Sequence, residues 1–243
     1  MSIPALIVPT LNQPDALVKM LESIDHSVDH FIIIDNGDVV PGLWPSKSLP
    51  LELPDGATDG RVIRLPHNIG VAASWNLGIK VTPLAPWWLI CNDDIAFGPG
   101  DLARLEETVD PRAAGIWYML GMAAFAITRH TLNAVGWFDE GVGHPAYNED
   151  LDYGRRIDLA GLPRIEVGFT GTHVGSATIH SDPVLRQANG RTHPGNDRRY
   201  AAKWGGAKQG GETFTTPFNR GGHLGDWRLD IELLRDHAWP KRP

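Results

Sequence analysis

Residues 87–100 read WWLICNDDIAFGPG, and this stretch decides how the rest of the chain is interpreted. An apolar run typical of a buried strand passes directly into Asn92, Asp93 and Asp94. Adjacent carboxylates at the end of such a strand repel each other and lose hydration, and no Lys or Arg stands close to them in the sequence. The pair must therefore face open water, or another source of positive charge must lie beside it.

Apolar runs alternate with segments of helical periodicity along the first part of the chain. Continuous apolar runs are typical of strands buried on both faces, and they occupy residues 5–9, 30–36, 61–66 and 86–92. Helical spacing of apolar residues is found between and after these runs, at residues 13–26, 70–80 and 99–109. The alternation predicts an α/β protein in which helices cover both faces of a mostly parallel sheet.

The remainder of the chain follows a different order. Residues 114–128 predict one or two strands with a break at Gly121, and residues 148–161 predict a helix. Residues 163–178 predict a final strand followed by a loop that carries His173. Beyond about residue 180 the periodicity fades, until residues 226–239 predict one more amphipathic helix.

Polar residues stand where four of the predicted strands end. They are Thr10 and Asn12, Asp35 and Asn36, His67 and Asn68, and Asn92 to Asp94. Ligands of parallel sheets bind beyond the carboxyl ends of the strands. Turn chemistry alone also favours Asn and Asp at any single one of these positions, but a bound ligand explains the set better. The sequence therefore predicts a binding site at this edge of the sheet.

Two common phosphate-binding motifs are missing from the sequence. No G-x-G-x-x-G follows the first predicted strand, and no G-x-x-x-x-G-K-[ST] occurs anywhere. An acidic edge without such a cradle must bind phosphate groups through a divalent cation, and carboxylate oxygens suit Mg²⁺ and Mn²⁺. A metal ion is the source of positive charge that Asp93 and Asp94 require.

Composition narrows the classes of partner. The net charge of −7 over 243 residues argues against a nucleic-acid backbone or an anionic membrane as the main partner. The single cysteine, Cys91, lies in an apolar run and is predicted to be buried. The longest apolar runs are too short for a membrane span or a signal peptide. These features predict a cytoplasmic protein.

Seven segments of the chain resemble, in this order, the inverting nucleotide-sugar glycosyltransferases of family 2. The resemblance extends from residue 3 to about residue 178 and is closest to the rhamnosyl- and galactosyltransferase-like branch. The segments are PTLNQPDALVKMLESI (9–24), IIIDNGD (32–38), HNIGVAASWNLGI (67–79), ICNDDIAF (90–97), GMAAFAITRHTLNAVGWFDE (121–140), YNEDLDYGRRIDLAG (147–161) and HVGSAT (173–178).

The resemblance implies a GT-A fold, a Rossmann-like α/β/α sandwich with a mostly parallel central sheet. The GT-A domain would comprise residues 1–180, with a nucleotide-binding half at 1–110 and an acceptor-binding half at 111–180. Residues 181–243 would form an irregular or helical C-terminal extension. This extension could act as a lid, contact the acceptor, or pack against a second subunit in a homo-oligomer.

The resemblance also implies the residues that bind the donor and its metal ion. Asp94 and His173 would ligate Mn²⁺ or Mg²⁺, although the first residue of the metal motif is Asn92 where the family commonly has Asp. Asp93 would lie near the ribose. The remaining positions that match contacts to the nucleobase and ribose are Pro9, Thr10, Asp35, Asn68 and Gly70.

The pair Glu149–Asp150 matches the catalytic motif of the family. The attacking acceptor hydroxyl must lose a proton, and Asp150 would be the general base, with Glu149 orienting the acceptor. An alternative explanation is that both acids simply favour the first turn of a helix, where the macrodipole stabilises negative charge.

The implied function is metal-dependent transfer of a sugar, with inversion, from a nucleoside diphosphate sugar. UDP is the first expectation for the donor nucleotide and dTDP the second, and the acceptor would be a glycan, a lipid-linked sugar or a protein hydroxyl. The alternatives are a sugar-phosphate nucleotidyltransferase and a nucleotide-sugar-binding module without turnover. Candidate residues for stacking against carbohydrate are Trp117, Trp137, Trp204 and Trp227.

Overall fold

A seven-stranded sheet runs through the computed structural model, which describes residues 2–37, 59–142, 145–175 and 183–215. Two further strands, β5 (Ile95–Ala96) and β9 (Thr172–His173), form a separate antiparallel pair. The strands of the large sheet are β1 (Ile3–Thr10), β2 (Val28–Asp35), β3 (Asp59–Arg64), β4 (Trp87–Cys91), β6 (Ile116–Leu120), β7 (Ala124–Thr128) and β8 (Arg164–Glu166).

The strand order β3-β2-β1-β4-β7-β6-β8 is mostly parallel, as predicted. Strand β1 pairs in parallel with β2 and β4, β2 pairs in parallel with β3, and β6 pairs in parallel with β8. Strand β7 is antiparallel to both β4 and β6. The carboxyl ends of β1 to β4 consequently lie at one edge of the sheet, where the polar residues were expected.

Helices cover both faces of the sheet. One core joins β1, β2 and β4 to Leu17 and Met20 on one helix and to Leu102 and Leu105 on another. The opposite core packs Trp75, Ile79 and Tyr153 against the other face of the same strands. The helices are α1 (Pro14–Glu22), α2 (Val71–Val81), α3 (Asp101–Thr108), α4 (Arg129–Val135), α5 (Glu149–Leu159) and α6 (Pro183–Trp204). The α/β/α sandwich is therefore confirmed.

Residues 163–178, predicted as a strand followed by a loop, contain two short strands in their described part. The chain leaves β8 at Glu166, passes through Gly168 with a φ of 89°, and becomes extended again only in β9. The buried Asp101 carboxylate accepts hydrogen bonds from the amides of Thr170 and Gly171 at 3.1 Å. These bonds draw the segment towards α3, so His173 lies in a strand paired with β5 and not in a loop.

The C-terminal extension, predicted to be irregular or helical, contains a long helix. Helix α6 has 22 residues, and of its side chains Tyr200 and Trp204 are the large buried ones. They pack against Val142, Leu151 and Leu159. Among the described side chains of α6, these large buried ones lie near its C-terminal end. The apolar residues of the helix therefore show no helical repeat along its length. The helix predicted at 226–239 lies outside the described residues.

The structure shows the burial of the single cysteine and of most of the tryptophans that the sequence singled out. Cys91, Trp87 and Trp88 are buried, as predicted. Trp117, Trp137 and Trp204 are also buried, with exposed fractions of 3%, 8% and 0%, so the prediction that their rings stack on carbohydrate is wrong. Trp227 lies outside the described residues. No helix within the described ranges is both long enough and apolar enough to cross a membrane.

We expect Gly78→Ala to lower the free energy of unfolding by about 1–3 kcal/mol. A Cβ at this position of α2 would lie 2.3 Å from Ile7 Cγ2 on β1. This overlap outweighs the roughly 1 kcal/mol by which Ala favours a helix over Gly. Urea unfolding of the variant and the wild type measures the difference.

The matched control is Gly190→Ala in α6, where an added Cβ meets no atom of the described residues within 4 Å. This change should raise the free energy of unfolding by up to about 1 kcal/mol. Equal effects at the two positions would contradict the close approach of α2 to β1.

Candidate functional site

A cavity of about 530 Å³ opens at the carboxyl edge of the parallel strands. Its volume is within the range of roughly 300–1,000 Å³ that is typical of small-ligand sites. The polar residues that line it come from the strand ends, the loop before α2, the start of α5 with the turn before it, and α6. They are Thr10, Asn36, Asn68, Asn92, Asp93, Asp94, Tyr147, Glu149, Asp150 and Asn189.

Most of the predicted site residues meet in this cavity. Of those predicted to bind the nucleotide, Pro9, Thr10, Asn68, Gly70 and Asp93 line it, and so do Asp94, Glu149 and Asp150. Asp35 and His173 do not line it. Asp35 is the register partner of Thr10 and accepts a hydrogen bond from the Gly37 amide at 3.0 Å. His173 lies beside Asp94.

Thr10 ties the end of β1 to the acidic turn after β4. Its hydroxyl donates to Asp93 Oδ2 at 2.6 Å. Burial and the negative charge of Asp94 raise the pKa of Asp93 to about 7, although the hydrogen bond from Thr10 acts in the opposite direction. The strand ends are thus joined by a short hydrogen bond to a carboxyl group that is hard to ionise.

Asn36 and Asn68 shape the loop that enters α2. The Asn36 side chain donates to Ser74 Oγ at 2.8 Å and accepts from the Ile69 amide at 3.1 Å. Asn68 Oδ1 accepts from the Gly70 amide at 2.8 Å. Gly70 has a φ of 89°, which a residue with a side chain rarely adopts. This loop therefore exposes backbone rather than side chains on one wall of the cavity.

Asp94 and His173 form a pair of the kind that a metal ion requires. Asp94 Oδ1 lies 3.2 Å from His173 Nε2, and the Asp94 carbonyl accepts from the Val174 amide at 3.1 Å. Neighbouring ligands of an octahedral ion at about 2.1 Å lie roughly 3.0 Å from each other, which agrees with this spacing. The antiparallel pairing of β5 with β9 holds the two side chains together.

The donor set fits Mg²⁺ or Mn²⁺ rather than a closed structural site. Within the described residues, no three His, Cys, Asp or Glu side chains converge on one point. Mg²⁺ commonly binds through one or two carboxylates and completes its shell with water and substrate phosphates. An oxygen and a nitrogen ligand would leave such positions open, and the imidazole suits Mn²⁺ better than Mg²⁺.

The pair Glu149–Asp150 begins α5 immediately after a strained turn. Tyr147 and Asn148 have φ values of 77° and 79°, and neither is glycine. Each such conformation costs about 1–3 kcal/mol and persists only where the surroundings hold it. Asn148 is the N-cap residue, so its backbone decides how Glu149 and Asp150 enter the cavity.

Glu149 is the more deeply buried member of the pair. Its side chain is 6% exposed, and Oε2 has no hydrogen-bond partner among the described residues. Burial raises the pKa of Glu149 to about 8, and the negative charge of Asp150 adds to the rise. Glu149 therefore keeps its proton at neutral pH and can donate a hydrogen bond into the cavity.

Several lining residues were not anticipated from the sequence. Trp75 of α2 is 2% exposed and its indole N–H has no partner among the described residues. Leu120 and Met122 come from the β6–β7 connection, and Ala188 and Asn189 come from α6. Only the tertiary fold brings these residues to the cavity, because no motif or spacing in the sequence links them to the strand ends.

Comparison with known proteins gives the family of this fold. The sequence model described as Glycosyl transferase family 2 matches residues 5–125. No curated protein matches the chain. The structure is similar to that of mannosyltransferase PcManGT from Pyrobaculum calidifontis in complex with GDP-Man and Mn²⁺. The TM-score is 0.53 and the identity 17%, over 72% of this chain and 58% of that chain.

A second similar structure is S. aureus TarS 1–349 in complex with UDP-GlcNAc. The TM-score is 0.50 and the identity 12%, over 71% of this chain and 60% of that chain. The chain thus spans less than two thirds of the length of both solved proteins. These likenesses agree with the sheet order and with the predicted GT-A fold. Residues 5–125 are therefore similar to the glycosyl transferase family 2 domain.

Proposed function

We propose that the chain is a metal-dependent, inverting glycosyltransferase that uses a nucleoside diphosphate sugar. The observation that carries the proposal is the meeting of two acidic pairs in one cavity. Asp93 and Asp94 enter from the end of β4, and Glu149 and Asp150 enter from the start of α5. A donor diphosphate at the first pair would leave the second pair free to act on an acceptor hydroxyl.

The wall formed by the strand ends suits the nucleotide. Pro9, Thr10, Asn68, Gly70 and Asp93 would contact the base and ribose, and Asp35 stands in register beside Thr10. UDP is the first candidate and dTDP the second. PcManGT with GDP-Man and TarS with UDP-GlcNAc support a nucleotide sugar as the donor class. The rhamnosyl- and galactosyltransferase-like branch remains the expected subfamily.

Asp94 and His173 would hold the metal ion, with Mn²⁺ as the first candidate and Mg²⁺ as the second. When bound, the ion would act as a Lewis acid towards the leaving diphosphate. None of the described residues that line the cavity is Lys or Arg. The chain therefore offers the diphosphate little positive charge of its own, which supports metal dependence.

Glu149 and Asp150, at the start of α5, would have different roles towards the acceptor. Burial raises the pKa of Glu149 to about 8, which favours its protonated form at neutral pH and suits it to donate a hydrogen bond. Asp150 lines the same cavity and is only partly buried, so the base role falls to Asp150. The protonated Glu149 would orient the acceptor by donating a hydrogen bond.

The alternative reactions fit the cavity less well. Nucleotidyl transfer onto a sugar phosphate would require groups that bind a triphosphate, and the β1 end carries Pro9, Thr10 and Leu11 in their place. A binding module without turnover would have no use for the acidic pair at the start of α5. The acceptor would be a glycan, a lipid-linked sugar or a protein hydroxyl.

Calorimetric titration tests the donor side. We expect UDP or dTDP to bind with Mn²⁺ present and to lose most of that affinity when Mn²⁺ is removed. Asp94→Ala and His173→Ala should each abolish the effect of Mn²⁺, because each removes one of the two predicted ligands. Asp110→Ala, an exposed carboxylate after α3, is the control. A nucleotide affinity that does not depend on Mn²⁺, or no nucleotide binding at all, would contradict the proposal.

Asp150→Asn should reduce the rate of sugar transfer by about 10²–10⁴, the usual contribution of a general base. The amide keeps the size of the side chain and removes the group that accepts the proton. The affinity for UDP should stay within about twofold, because the nucleotide binds the opposite wall. Coupled assay of nucleoside diphosphate release measures the rate. An unchanged rate would remove Asp150 from the mechanism.

Glu149→Gln should stabilise the chain more at high pH than at low pH. An unfolded Glu loses its proton near pH ~4.3, whereas folded Glu149 keeps it to about pH 8. Wild-type stability therefore falls as the pH rises between these values. The gain from Gln should grow from near zero at pH 4 to on the order of 1–3 kcal/mol at pH 8.5.

Thermal unfolding of both proteins across this pH range measures the gain. Asp93 also has a raised pKa, but it is present in both proteins and cancels in the comparison. Glu107→Gln, at an exposed position of α3, is the control. A difference between Glu149→Gln and wild type that does not change with pH would show that Glu149 is not held protonated.

A further inference from the structure

Helix α6 packs against residues 145–148, the turn that leads into the catalytic helix and is called the entry turn below. Asn196 Nδ2 donates to the Ala146 carbonyl at 2.9 Å, and Asn196 is fully buried. The ring of His193 stacks on the ring of Tyr147, with 5.2 Å between centroids and 4° between planes. Neighbouring residues of the entry turn therefore contact side chains of one helix.

Asn148 is held at both ends of its side-chain amide. Its Nδ2 donates to Asp197 Oδ1 at 2.9 Å, and its Oδ1 accepts from Lys208 Nζ at 3.0 Å. Lys208 also lies 2.9 Å from the same Asp197 oxygen. The three groups close a ring of hydrogen bonds and charge around the residue that precedes Glu149. The hydrogen bonds from Asn148 and Lys208 hold the pKa of Asp197 below its usual value.

The entry turn needs such contacts because its backbone is strained. Tyr147 and Asn148 both lie in the left-handed region, which Tyr rarely adopts and which Asn tolerates better than most residues with side chains. Asn148 makes no capping bond to α5, so its side chain does not secure the helix start from within. Without α6 the turn would relax, and the relaxed backbone would carry Glu149 and Asp150 away from their places in the cavity.

Helix α6 is itself fixed to the catalytic helix. Trp204 Nε1 donates to Asp152 Oδ1 at 2.8 Å, and Lys203 Nζ lies 2.7 Å from the same oxygen. Tyr200 OH donates to Glu212 Oε1 at 2.8 Å, which ties the loop that carries Lys208 back to the helix. The segment that contacts the entry turn is therefore also bonded to Asp152, one turn further along α5.

We propose that residues 193–208 act as a clamp that holds the entry turn in its strained form. Asn196, Asp197 and Lys208 are then positioning residues for sugar transfer. This inference rests on the proposed role of Asp150 as the base. It assigns the C-terminal extension a part in turnover that requires no contact between these three residues and the substrate.

The test compares Asp197→Ala with Asp197→Asn. The alanine variant loses both hydrogen bonds, whereas the asparagine variant keeps an Oδ1 that accepts from Asn148 and Lys208. Asp59→Ala is the matched control, since Asp59 is a partly exposed carboxylate paired with Arg61 at the opposite end of the sheet. Surface ion pairs contribute little in general, so loss of a merely structural carboxylate should resemble this control.

Three quantities are measured on each protein. They are hydrogen exchange of the amides at 146–152 without substrate, UDP affinity with Mn²⁺, and nucleoside diphosphate release from a panel of UDP-, dTDP- and GDP-sugars with water as the acceptor of the sugar. Asp197→Ala should speed the exchange and lower kcat by about 10- to 100-fold, because small misplacements of catalytic groups have effects of this size. Its UDP affinity should stay unchanged, and Asp197→Asn and Asp59→Ala should resemble wild type.

Unchanged exchange or unchanged kcat in Asp197→Ala would overturn the inference. An equal loss of kcat in Asp197→Asn would overturn it as well, because that variant keeps the hydrogen bonds. If Asp197→Ala does not fold, Lys208→Met is measured in its place with the same expectations. A wild-type chain that consumes no donor contradicts the proposed function itself, whereas failure of the clamp alone leaves wild-type turnover intact.

Discussion

The C-terminal half of the fold depends on one buried carboxylate, Asp152. It is fully buried and accepts from Arg156 at 2.7 Å, from Trp204 at 2.8 Å and from Lys203 at 2.7 Å. Arg156 is also fully buried and donates to the carbonyls of Val135 and Trp137. Unpaired, either charge would be costly to bury. Together they join α5 to the end of α4 and to α6, so the helix that begins with Glu149 and Asp150 is held by contacts from two other helices.

The two walls of the cavity differ in how they are held in place. One wall consists of the ends of paired strands, cross-linked by the short bond between Thr10 and Asp93. The other wall begins at the strained pair Tyr147–Asn148, whose conformation depends on neighbours from α6. The proposed donor site therefore lies on rigid sheet, whereas the proposed acceptor site lies on a turn that distant residues hold in place. This division would explain why a site formed mainly by the sheet also depends on the C-terminal extension.

The sequence predicted the sheet wall well, because strand runs and their polar ends follow from local pattern. Thr10, Asn68, Asp93 and Asp94 were all placed at the correct edge. The extension was harder to predict, since among the described side chains of α6 the large buried ones are Tyr200 and Trp204, and the helix shows no apolar repeat. The extension contacts Asn148 through polar side chains that are 49 and 60 residues away in the sequence. No local sequence pattern indicates contacts over such separations. His173 was predicted to lie in a loop but lies in β9, because hydrogen bonds to Asp101 bring the chain beside β5.

The most direct test of the central claim, that a metal site and a catalytic base share this cavity, is anomalous diffraction from crystals grown with Mn²⁺ and UDP. The account predicts one strong Mn²⁺ peak in ligand contact with Asp94 Oδ1 and His173 Nε2. It also predicts that the UDP phosphates complete the shell of the ion, with the Asp150 carboxylate facing the sugar side of the diphosphate. A peak at other residues, or UDP bound outside the cavity, would contradict the account.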